Sequence, residues 1–458
     1  MDFDIQQIAA KFLLDPLFAS YEKSNHIEQL EFYERSQYFP KEQVEQIQID
    51  LLKKMLLHSY KHCPFYTKRF DAASFDPVKF QSFDDLQKLP VLTKSDIQNN
   101  LNELKASSYN QSELIENKTG GSTGSPLLFY HDRKRLFSRK ASTYRHDRWT
   151  GWDIGYKSAY LWGHHRDFRS QLNWKSKIRA EFYDRKMVLD TSDITTEKMT
   201  TFVNELLSFN PFLYVAYANA MYLFARFIKE NNIENYHRPE AIITSAELLT
   251  GEQRALIEEV FECKVYNRYG CRETSIVASE CSMQKGMHIS AETLFVELDK
   301  SAKSESAPAK IIITDLLNFG MPLIRYRIED MGVAVEGDCD CGRELPRLDI
   351  AGGRVTDFLV TADSRVVSGA AMTIYFVATV AGIAQAQLIQ KAKDELHLKI
   401  VKSKKFTTET EPEIEQNVKN FFGEKMKHTI EYVDSIPTTA SGKYRFSISE
   451  IDVLEFLS

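Results

Sequence analysis

The chain has 458 residues, of which 43% are hydrophobic and 27% are charged, proportions typical of a globular protein with two or three domains. Its net charge of −6 provides no general basic field, which argues against a nucleic-acid partner. The longest apolar run, residues 372–384, is too short to span a bilayer and predicts a buried helix. The acidic start lacks a signal-peptide layout, and the six cysteines suit thiols or metal ligands. We therefore predict a cytoplasmic protein without membrane insertion.

The first 60 residues are predicted to be helical, because apolar side chains recur there at three- and four-residue spacing. These side chains are Val44, Ile47, Leu51, Leu52, Met55 and Leu56. The segment 62–66, His-Cys-Pro-Phe-Tyr, is expected to end the last of these helices. Thr93 is a predicted N-cap for the helix that follows.

A loop rich in glycine and hydroxyl side chains lies between two strand-like runs, residues 113–117 and 127–131. Its residues are Thr119, Gly120, Gly121, Ser122, Thr123, Gly124, Ser125 and Pro126. Glycines let backbone N–H groups converge on an anion, and hydroxyls add donors, so a phosphate-binding loop is one interpretation. A flexible hairpin turn is the other, and this stretch alone supports both equally.

The basic stretch 133–148 is predicted to be a helix with most of its charges on a solvated face. Residues 158–162 then read as a strand, and His164 and His165 follow it. Adjacent residues on a strand point to opposite faces, so we expect at most one of these histidines in a substrate pocket.

Helices and strands alternate between residues 195 and 270, which predicts an α/β fold with a parallel sheet covered by helices. The predicted strands are 213–217, 241–245 and 264–269, and the predicted helices are 199–209, 220–229 and 252–261. Ligands bind at the carboxyl ends of the strands in such sheets. Two segments at those ends, 245–247 and 269–274, are therefore candidate parts of a site.

Asp330 follows a basic, strand-like run, and its carboxylate offers only hydrogen-bond acceptors, which suits a sugar diol. A surface salt bridge with Arg325 or Arg327 is the alternative. Lys443 follows Ser-Gly in a loop near the C-terminus, which suggests a single presented cation, and a solvated lysine is the alternative there.

The pattern of predicted elements changes near Thr356, where we place a domain boundary. Residues 1–355 would form a large N-terminal domain and residues 356–458 a small α+β domain. The predicted elements of the small domain are strands 384–391, 395–402 and 428–433 and a helix over 411–425.

Taken together and in this order, these segments resemble the adenylate-forming superfamily of acyl-CoA synthetases, nonribosomal adenylation domains and luciferase. The branch it is most similar to is the phenylacetate–CoA ligase-like group, which includes the CapK-type proteins of polysaccharide gene clusters. The segment 62–66 and the long N-terminal helices are in the style of that branch. The resemblance covers nearly the whole chain and implies a small, mobile C-terminal domain that carries a catalytic lysine.

The resemblance also implies roles for individual residues. The phosphates of ATP would be gripped by Thr119, Gly120, Gly121, Ser122, Thr123 and Gly124. The adenosine would be held by Ala246, Glu247, Tyr269, Gly270 and Asp330, with Arg325 and Arg327 nearby. Glu273 would hold Mg²⁺, Arg354 would lie at the interdomain hinge, and Lys443 would bridge the substrate carboxylate and the α-phosphate. The acid pocket would draw on Tyr160, His164, Tyr217, Asn219 and Ser245.

Three positions depart from the pattern of the superfamily. Ser125 stands where the loop often carries lysine, Arg272 replaces the usual Thr or Ser before the Mg²⁺-binding glutamate, and Thr356 replaces the usual hinge Asp or Lys. These departures indicate a divergent member.

A second constellation consists of Cys281, His288, Cys339 and Cys341. Three thiolates and one imidazole suit a closed, tetrahedral structural Zn²⁺ site, and similar Cys/His sets occur in this branch. Scattered thiols in a reducing cell are the alternative.

The leading hypothesis is therefore an AMP-forming carboxylic-acid ligase. It would activate an aryl or other small acid with Mg-ATP to an acyl-adenylate and pyrophosphate, and would transfer the acyl group to CoA. One alternative is an amide or ester ligase that acylates an amine or a sugar in polysaccharide or secondary-metabolite biosynthesis. A non-catalytic nucleotide-binding scaffold is another alternative, and homodimerisation stays open.

Overall fold

The computed structural model describes residues 4–119, 127–162, 179–191, 193–299, 309–352, 355–356, 358–369, 372, 380, 382–403, 405–436, 445–451 and 456. Among the described helices, none has both the length and the hydrophobicity needed to cross a membrane.

The N-terminal region is helical, as its apolar spacing predicts. Its helices are α1 (Ile5–Ala9), α2 (Asp15–Glu22), α3 (His26–Ser36), α4 (Lys41–His62), α5 (Pro64–Ala72), α6 (Phe83–Leu86), α7 (Lys94–Asn99) and α8 (Leu101–Leu104), and a π-helical turn (Ala10–Leu14) joins the first two. Extended backbone at Cys63 ends α4, and Pro64 opens α5 with its φ already set for a helix. Thr93 caps α7 in a capping box with Asp96, as predicted.

Two strands, β1 (Leu114–Lys118) and β2 (Leu128–Asp132), form an antiparallel hairpin on either side of the glycine-rich loop. The hairpin leads directly into α9 (Arg133–Arg148), whose first turn is capped by the side chain of Asp132. Residues 120–126, the tip of the hairpin, lie outside the described residues.

The repeating strand–helix pattern produces the parallel half of an 11-stranded sheet. Its elements are β3 (Ser158–Trp162), β4 (Lys186–Asp190), α10 (Thr196–Phe209), β6 (Leu213–Tyr217), α11 (Ala218–Glu230), β7 (Ala241–Ser245), α12 (Gly251–Phe261) and β8 (Lys264–Cys271), with a short β5 (Asp193–Ile194) before α10. The parallel strands lie in the order β4-β3-β6-β7-β8, and β6 is buried along its whole length. The α/β prediction is confirmed.

The other half of this sheet is antiparallel. Its strands are β9 (Ser275–Glu280), β10 (Met287–Ile289), β11 (Leu294–Asp299), β12 (Ala309–Asp315), β13 (Tyr326–Val335) and β14 (Arg347–Gly352), in the order β8-β9-β10-β14-β13-β12-β11. Strand β8 therefore joins the two halves, because it pairs parallel with β7 and antiparallel with β9.

The C-terminal region is α+β. Its elements are β15 (Val355–Thr356), β16 (Phe358–Val360), β17 (Val366–Ser368), β18 (Ile383–Ala392), β19 (Glu395–Lys402), α13 (Thr410–Phe422), β20 (Lys427–Tyr432) and β21 (Arg445–Ser449). Five of these strands form a sheet in the order β15-β21-β18-β19-β20, while β17 pairs with β16 and with β5.

The helix expected over 372–384 is wrong at its C-terminal end, where Ile383 already belongs to β18. The reason is that β18 pairs with two neighbours, β19 and β21, and buries apolar side chains between them. Residues 373–379, in the middle of that expected helix, lie outside the described residues.

Candidate functional site

The turn between β8 and β9 carries Glu273 at the point where the sheet changes from parallel to antiparallel pairing. The approach of the two strands requires a glycine, because a Cβ at Gly270 would lie 2.5 Å from the carbonyl oxygen of Ser275. Ser275 completes the turn with a φ of 71°. The predicted site segment 269–274 is thus a tight, strained connection at a carboxyl strand end.

Glu273 is buried, and hydrogen bonds hold it both at its carboxylate and at its backbone. Its Oε1 accepts a hydrogen bond from the Tyr326 hydroxyl at 3.1 Å, and its backbone oxygen accepts one from His131 Nε2 at 2.7 Å. Burial and the nearby charge of Arg139 lower the pKa of His131 to about 3, so its ring is neutral at pH 7 and Nδ1 accepts from Arg139. Glu273 therefore has its orientation set before any ligand binds.

Tyr269 and Asp330 lie together, as their proposed shared role requires. The Tyr269 hydroxyl donates to Asp330 Oδ2 at 2.7 Å. The expectation that Asp330 follows a strand is wrong, since β13 continues to Val335. The pairing of β12 with β13 shifts from Ile312–Arg327 to Lys310–Met331, and this irregularity displaces Asp330 from the regular ladder.

A second group of predicted residues lies at the carboxyl ends of β6 and β7, where Tyr217 pairs with Ser245. Glu247 Oε2 accepts a hydrogen bond at 2.9 Å from the backbone N–H of Asn219, so its negative charge lies at the N-terminus of α11. Ala246, between Ser245 and Glu247, has a φ of 68°, a left-handed conformation that is uncommon for residues other than glycine.

Trp162 belongs to the same edge although the sequence did not single it out. It is the last residue of β3, and its ring centroid lies 4.2 Å from that of Tyr217. Tyr160, the residue predicted for the pocket, lies two positions earlier, with Lys186 over its ring at 5.2 Å. The aromatic wall nearest this strand end is therefore Trp162, and the role of Tyr160 stays a prediction.

Arg325 makes structural contacts that its predicted place near the nucleotide does not include. Its guanidinium forms a two-point ion pair with Glu297 and donates to the backbone oxygens of Gln87 and Leu89. Its φ of 53° lets it make these contacts while its backbone N–H bonds Thr314. Arg325 thus ties the 87–89 segment to the sheet, and its part in nucleotide binding stays a prediction.

The base of the glycine-rich loop is held by two hydrogen bonds. The Thr119 N–H donates to the Leu127 carbonyl at 3.0 Å, and Thr119 Oγ1 accepts from the Leu127 N–H at 2.9 Å. The other residues predicted to grip phosphate, Gly120, Gly121, Ser122, Thr123 and Gly124, lie outside the described residues, as do His164, Arg354 and Lys443.

The expectation that most charges of α9 face solvent is wrong. Arg135 is buried, bonds Asp315 at 2.6 Å and also bonds the backbone oxygen of Thr274 at 2.7 Å. Arg145 pairs with Glu292 at 2.6 Å with both side chains inaccessible to solvent. The helix packs against β9, so its inward charges are retained by buried partners that sequence spacing does not reveal.

The predicted metal cluster is assembled in space. One potential ligand atom from each of Cys281, His288, Cys339 and Cys341 lies within 4.8 Å of all the others. The Cys281 and Cys339 sulfurs are 3.6 Å apart, and His288 Nε2 is 3.3 Å from the Cys341 sulfur. Tetrahedral Zn–S bonds of about 2.3 Å separate sulfurs by about 3.7 Å, so the spacing fits zinc.

The imidazole of the cluster is also oriented correctly. His288 Nδ1 lies 3.2 Å from the Leu345 carbonyl, which fixes the proton on Nδ1 and leaves the Nε2 lone pair for a metal. The four residues connect the end of β9, β10 and the loop between β13 and β14. Their arrangement is closed, with no position left for a substrate.

Residues 359–450 match the family model described as the CapK C-terminal domain. The chain is 25% identical over 398 residues to protein CapK of Staphylococcus aureus, which covers 85% of this chain and 86% of that protein. It is 24% identical over 332 residues to phenylacetate-coenzyme A ligase of Thermus thermophilus, covering 70% and 72%.

Among solved structures, 2-hydroxyisobutyryl-CoA ligase in complex with 2-HIB-AMP and CoA aligns with a TM-score of 0.63. The alignment covers 92% of each chain at 17% identity, so it shows a shared fold. The recognised motifs, the sequence relatives and this fold agree, and the resemblance to the adenylate-forming superfamily, in the branch of CapK and phenylacetate–CoA ligase, is confirmed.

Proposed function

We propose that this protein is an AMP-forming carboxylic-acid ligase that activates an acid with Mg-ATP and transfers the acyl group to CoA. The observation that carries the proposal is the turn after β8, which places Glu273 beside Tyr326 and brings Tyr269 to Asp330. Two relatives support the acceptor, since one is a phenylacetate-coenzyme A ligase and one structural neighbour holds an acyl-adenylate and CoA.

The nucleotide would lie across the carboxyl strand ends. Thr119 and residues 120–124 would contact the phosphates, and Ala246 and Glu247 would line the adenine. Asp330 would exchange its hydrogen bond from Tyr269 for one from the ribose diol. Tyr269 would then be released to pack against the base.

The carboxylate of Glu273 would hold Mg²⁺, which, when bound, neutralises charge on the phosphates. A single buried carboxylate fits this ion, because Mg²⁺ is commonly bound by one or two carboxylates together with substrate phosphates. Tyr326 holds one oxygen of the carboxylate and His131 holds the backbone of Glu273, and the second carboxylate oxygen would bind the ion.

The chemical step joins a substrate carboxylate oxygen to the α-phosphorus and releases pyrophosphate. Because two anions must approach, a cation has to meet the charge that develops between them. Lys443 would supply it from residues 356–458, which we propose as a mobile domain that turns at Arg354 after adenylation. The acid would lie near Trp162, Tyr217, Asn219 and Ser245, at the ends of β3, β6 and β7.

We further propose that Cys281, His288, Cys339 and Cys341 bind a structural Zn²⁺. The ion would join the end of β9 to the loop after β13, on the antiparallel half of the large sheet. It would stabilise the fold and take no part in the reaction.

The test of the main proposal is carboxylate-dependent pyrophosphate release across a panel of aryl and small aliphatic acids. We expect release with at least one class of acid, and thioester formation when CoA is added. Amide or ester formation with amines or sugars, and none with CoA, would assign the acceptor to the alternative class. Nucleotide binding without pyrophosphate release from any acid would favour a non-catalytic scaffold.

A further inference from the structure

The first two helices of the chain form one continuous rod with an apolar outer surface. Helix α1, the π-helical turn and α2 follow one another without a break, since the backbone is helical at both junctions. We call this rod the 5–22 helix. Of the eleven large apolar side chains that are exposed in the described part of the chain, six lie on it. These six are Ile5, Ile8, Phe12, Leu13, Leu17 and Tyr21. A seventh, Phe182, belongs to a second π-helical turn (Ala180–Asp184) that packs against the first.

The π-helical turn (Ala10–Leu14) keeps the exposed side chains on one side of the rod. Phe12 and Leu17 are five residues apart, which would separate them by about 140° around a regular α-helix. A π-helical turn, with its i→i+5 hydrogen bonds, brings residues at this spacing nearly into line. The opposite face has the same step of five between Ala10 and Asp15, which are both buried. The rod therefore has a buried face and a continuous apolar stripe that faces solvent.

The stripe is large for a surface that stays in water. Phe12 is 68% exposed and Tyr21 is 85% exposed. At about 150–200 Å² for each fully exposed large side chain, the six residues present roughly 600 Å² of apolar surface. The largest apolar patch of a typical monomer is about 300–600 Å², and a stable interface buries about 800 Å² on each partner. The stripe is thus large enough to be the centre of a protein interface.

The charges around the stripe favour a protein partner over a lipid surface. Helices that lie on membranes carry many lysines and arginines on their polar face, and these attract anionic headgroups. The 5–22 helix has one lysine, Lys11, against two carboxylates, and Lys11 pairs with Asp153 at 2.5 Å. The neighbouring Arg179 pairs with Glu22 at 2.6 Å. Because the nearby cations are compensated within the chain, an anionic membrane would meet no excess of positive charge.

We propose that the 5–22 helix is a dimerisation surface, against which a second copy of this chain packs its own 5–22 helix in antiparallel orientation. An uncharged apolar stripe is complementary to itself, as a two-fold symmetric interface requires. The stripe runs from Ile5 to Tyr21, so the two-fold axis passes near its midpoint, Leu13. Ile5 of one protomer then lies against Tyr21 of the partner subunit. This inference is independent of the proposed reaction.

Sedimentation-velocity centrifugation of the intact chain over a wide concentration range tests the proposal. We expect the unmodified protein to dimerise. Phe12→Asp should weaken dimerisation about 100-fold or more, because each dimer would bury two unpaired carboxylates. The variant should keep the circular dichroism spectrum of the unmodified protein, since Phe12 is exposed in the single chain. Val78→Asp is the matched control, because Val78 is also exposed but lies outside the stripe, and it should leave the dimer intact.

Cysteine cross-linking tests the antiparallel orientation. Leu13→Cys should give a disulfide-linked dimer under mild oxidation, because the two copies of this position lie at the axis. Ile5→Cys should not, since the two copies of residue 5 would be about 24 Å apart at a rise of about 1.5 Å per residue. The unmodified protein, with its six cysteines, provides the background for both variants.

Three results would overturn the proposal. The first is an unmodified chain that sediments as a monomer at every concentration, including one that floats with phosphatidylcholine–phosphatidylglycerol vesicles and so assigns the stripe to a lipid surface. The second is a dimer that Phe12→Asp leaves as intact as Val78→Asp does. The third is cross-linking of Ile5→Cys that equals that of Leu13→Cys, which contradicts the antiparallel orientation.

Discussion

The Cys/His cluster and the site around Glu273 lie on the same sheet but are built in opposite ways. The cluster brings all four potential ligands within 4.8 Å of one another, with three of them buried. Around Glu273, the polar groups are held by protein partners, Tyr326 on the carboxylate and Tyr269 on Asp330, and Lys443 belongs to a different region of the chain.

In the proposed function, this difference separates a metal site that is complete in the folded chain from a substrate site that would also need its ligands and Lys443. A closed donor set stabilises the fold, whereas pre-oriented groups with exchangeable partners bind substrates. The two regions should therefore respond differently to mutation: the cluster through stability and metal content, and the Glu273 site through catalysis and ligand affinity.

Lys443→Ala should have the largest effect. We expect adenylation to fall about 10²- to 10³-fold, or about 3–4 kcal/mol in the activation barrier, because a cation aimed at the developing charge is lost. ATP affinity, measured by calorimetry, and the thermal unfolding temperature should stay near those of the unmodified protein. Adenylation at the original rate would show that the Glu273 site is complete without this lysine.

Cys339→Ser should affect the other region. We expect loss of one Zn²⁺ per chain and a decrease of about 3 kcal/mol in the free energy of unfolding, measured by metal analysis and urea denaturation. Cys263→Ser is the control, because Cys263 is half-buried and lies outside the cluster, and it should keep the metal. Purified protein that contains much less than one zinc per chain would contradict a zinc site at the Cys/His cluster.

The Asp15 carboxylate belongs to neither region, and its protonation at low pH lowers the stability of the whole fold. Burial alone would raise the pKa of Asp15, but hydrogen bonds from His26 and Tyr183 and the charge of Lys140 outweigh it and hold the pKa at about 2. The stability that this carboxylate contributes is present above its ordinary pKa of 3.8 and is lost as pH falls from about 4 to 2.

In Asp15→Asn, that pH dependence should disappear and the neutral-pH free energy of unfolding should fall by about 2 kcal/mol. The exposed Asp50→Asn is the control and should keep the slope of the unmodified protein. Urea denaturation at several pH values between 2 and 7 provides the measurement. An unchanged slope in Asp15→Asn would refute the assignment.

Tyr326→Phe should have the smallest effect, and it tests whether the Glu273 carboxylate has to be oriented for activity. Loss of the 3.1 Å hydrogen bond to Glu273 should raise the KM for Mg-ATP or lower kcat by about tenfold or less, near 1 kcal/mol. Raising the Mg²⁺ concentration should restore part of the activity, because the carboxylate remains but is less well oriented. A change in stability without any change in Mg²⁺ dependence would make Tyr326 a packing residue.

Much of the fold follows from local pattern. The parallel strands 213–217 and 241–245 were predicted to the residue, because a buried apolar strand between capped helices is visible in the sequence. The C-terminal end of the helix expected at 372–384 and the solvated face of α9 were wrong. In both regions the deciding contacts, β21 beside β18 and Asp315 beside Arg135, come from distant parts of the chain.

The same limit applies to the candidate site. Glu273, Tyr269 and Asp330 were recognisable as parts of ordered motifs, and the Cys-x-Cys spacing indicated the metal cluster. Tyr326, His131, Trp162 and Arg139 were not singled out, because a tyrosine, histidine, tryptophan or arginine has no meaning for a site until its neighbours are known.

By itself, the sequence determined most of the secondary structure, the resemblance to the superfamily and the residue types available for chemistry, because periodicity, turn residues and motif order are local properties. Only the tertiary structure decided which hydrogen-bond and ion-pair partners orient each side chain. It oriented Glu273 through Tyr326 and His131. It also tied Arg325 to Glu297 and brought Arg272 to Lys118, at the base of a loop and 154 positions earlier in the chain. The physical reason is that burial and hydrogen bonding depend on contacts across the sheet, which separation along the chain does not encode.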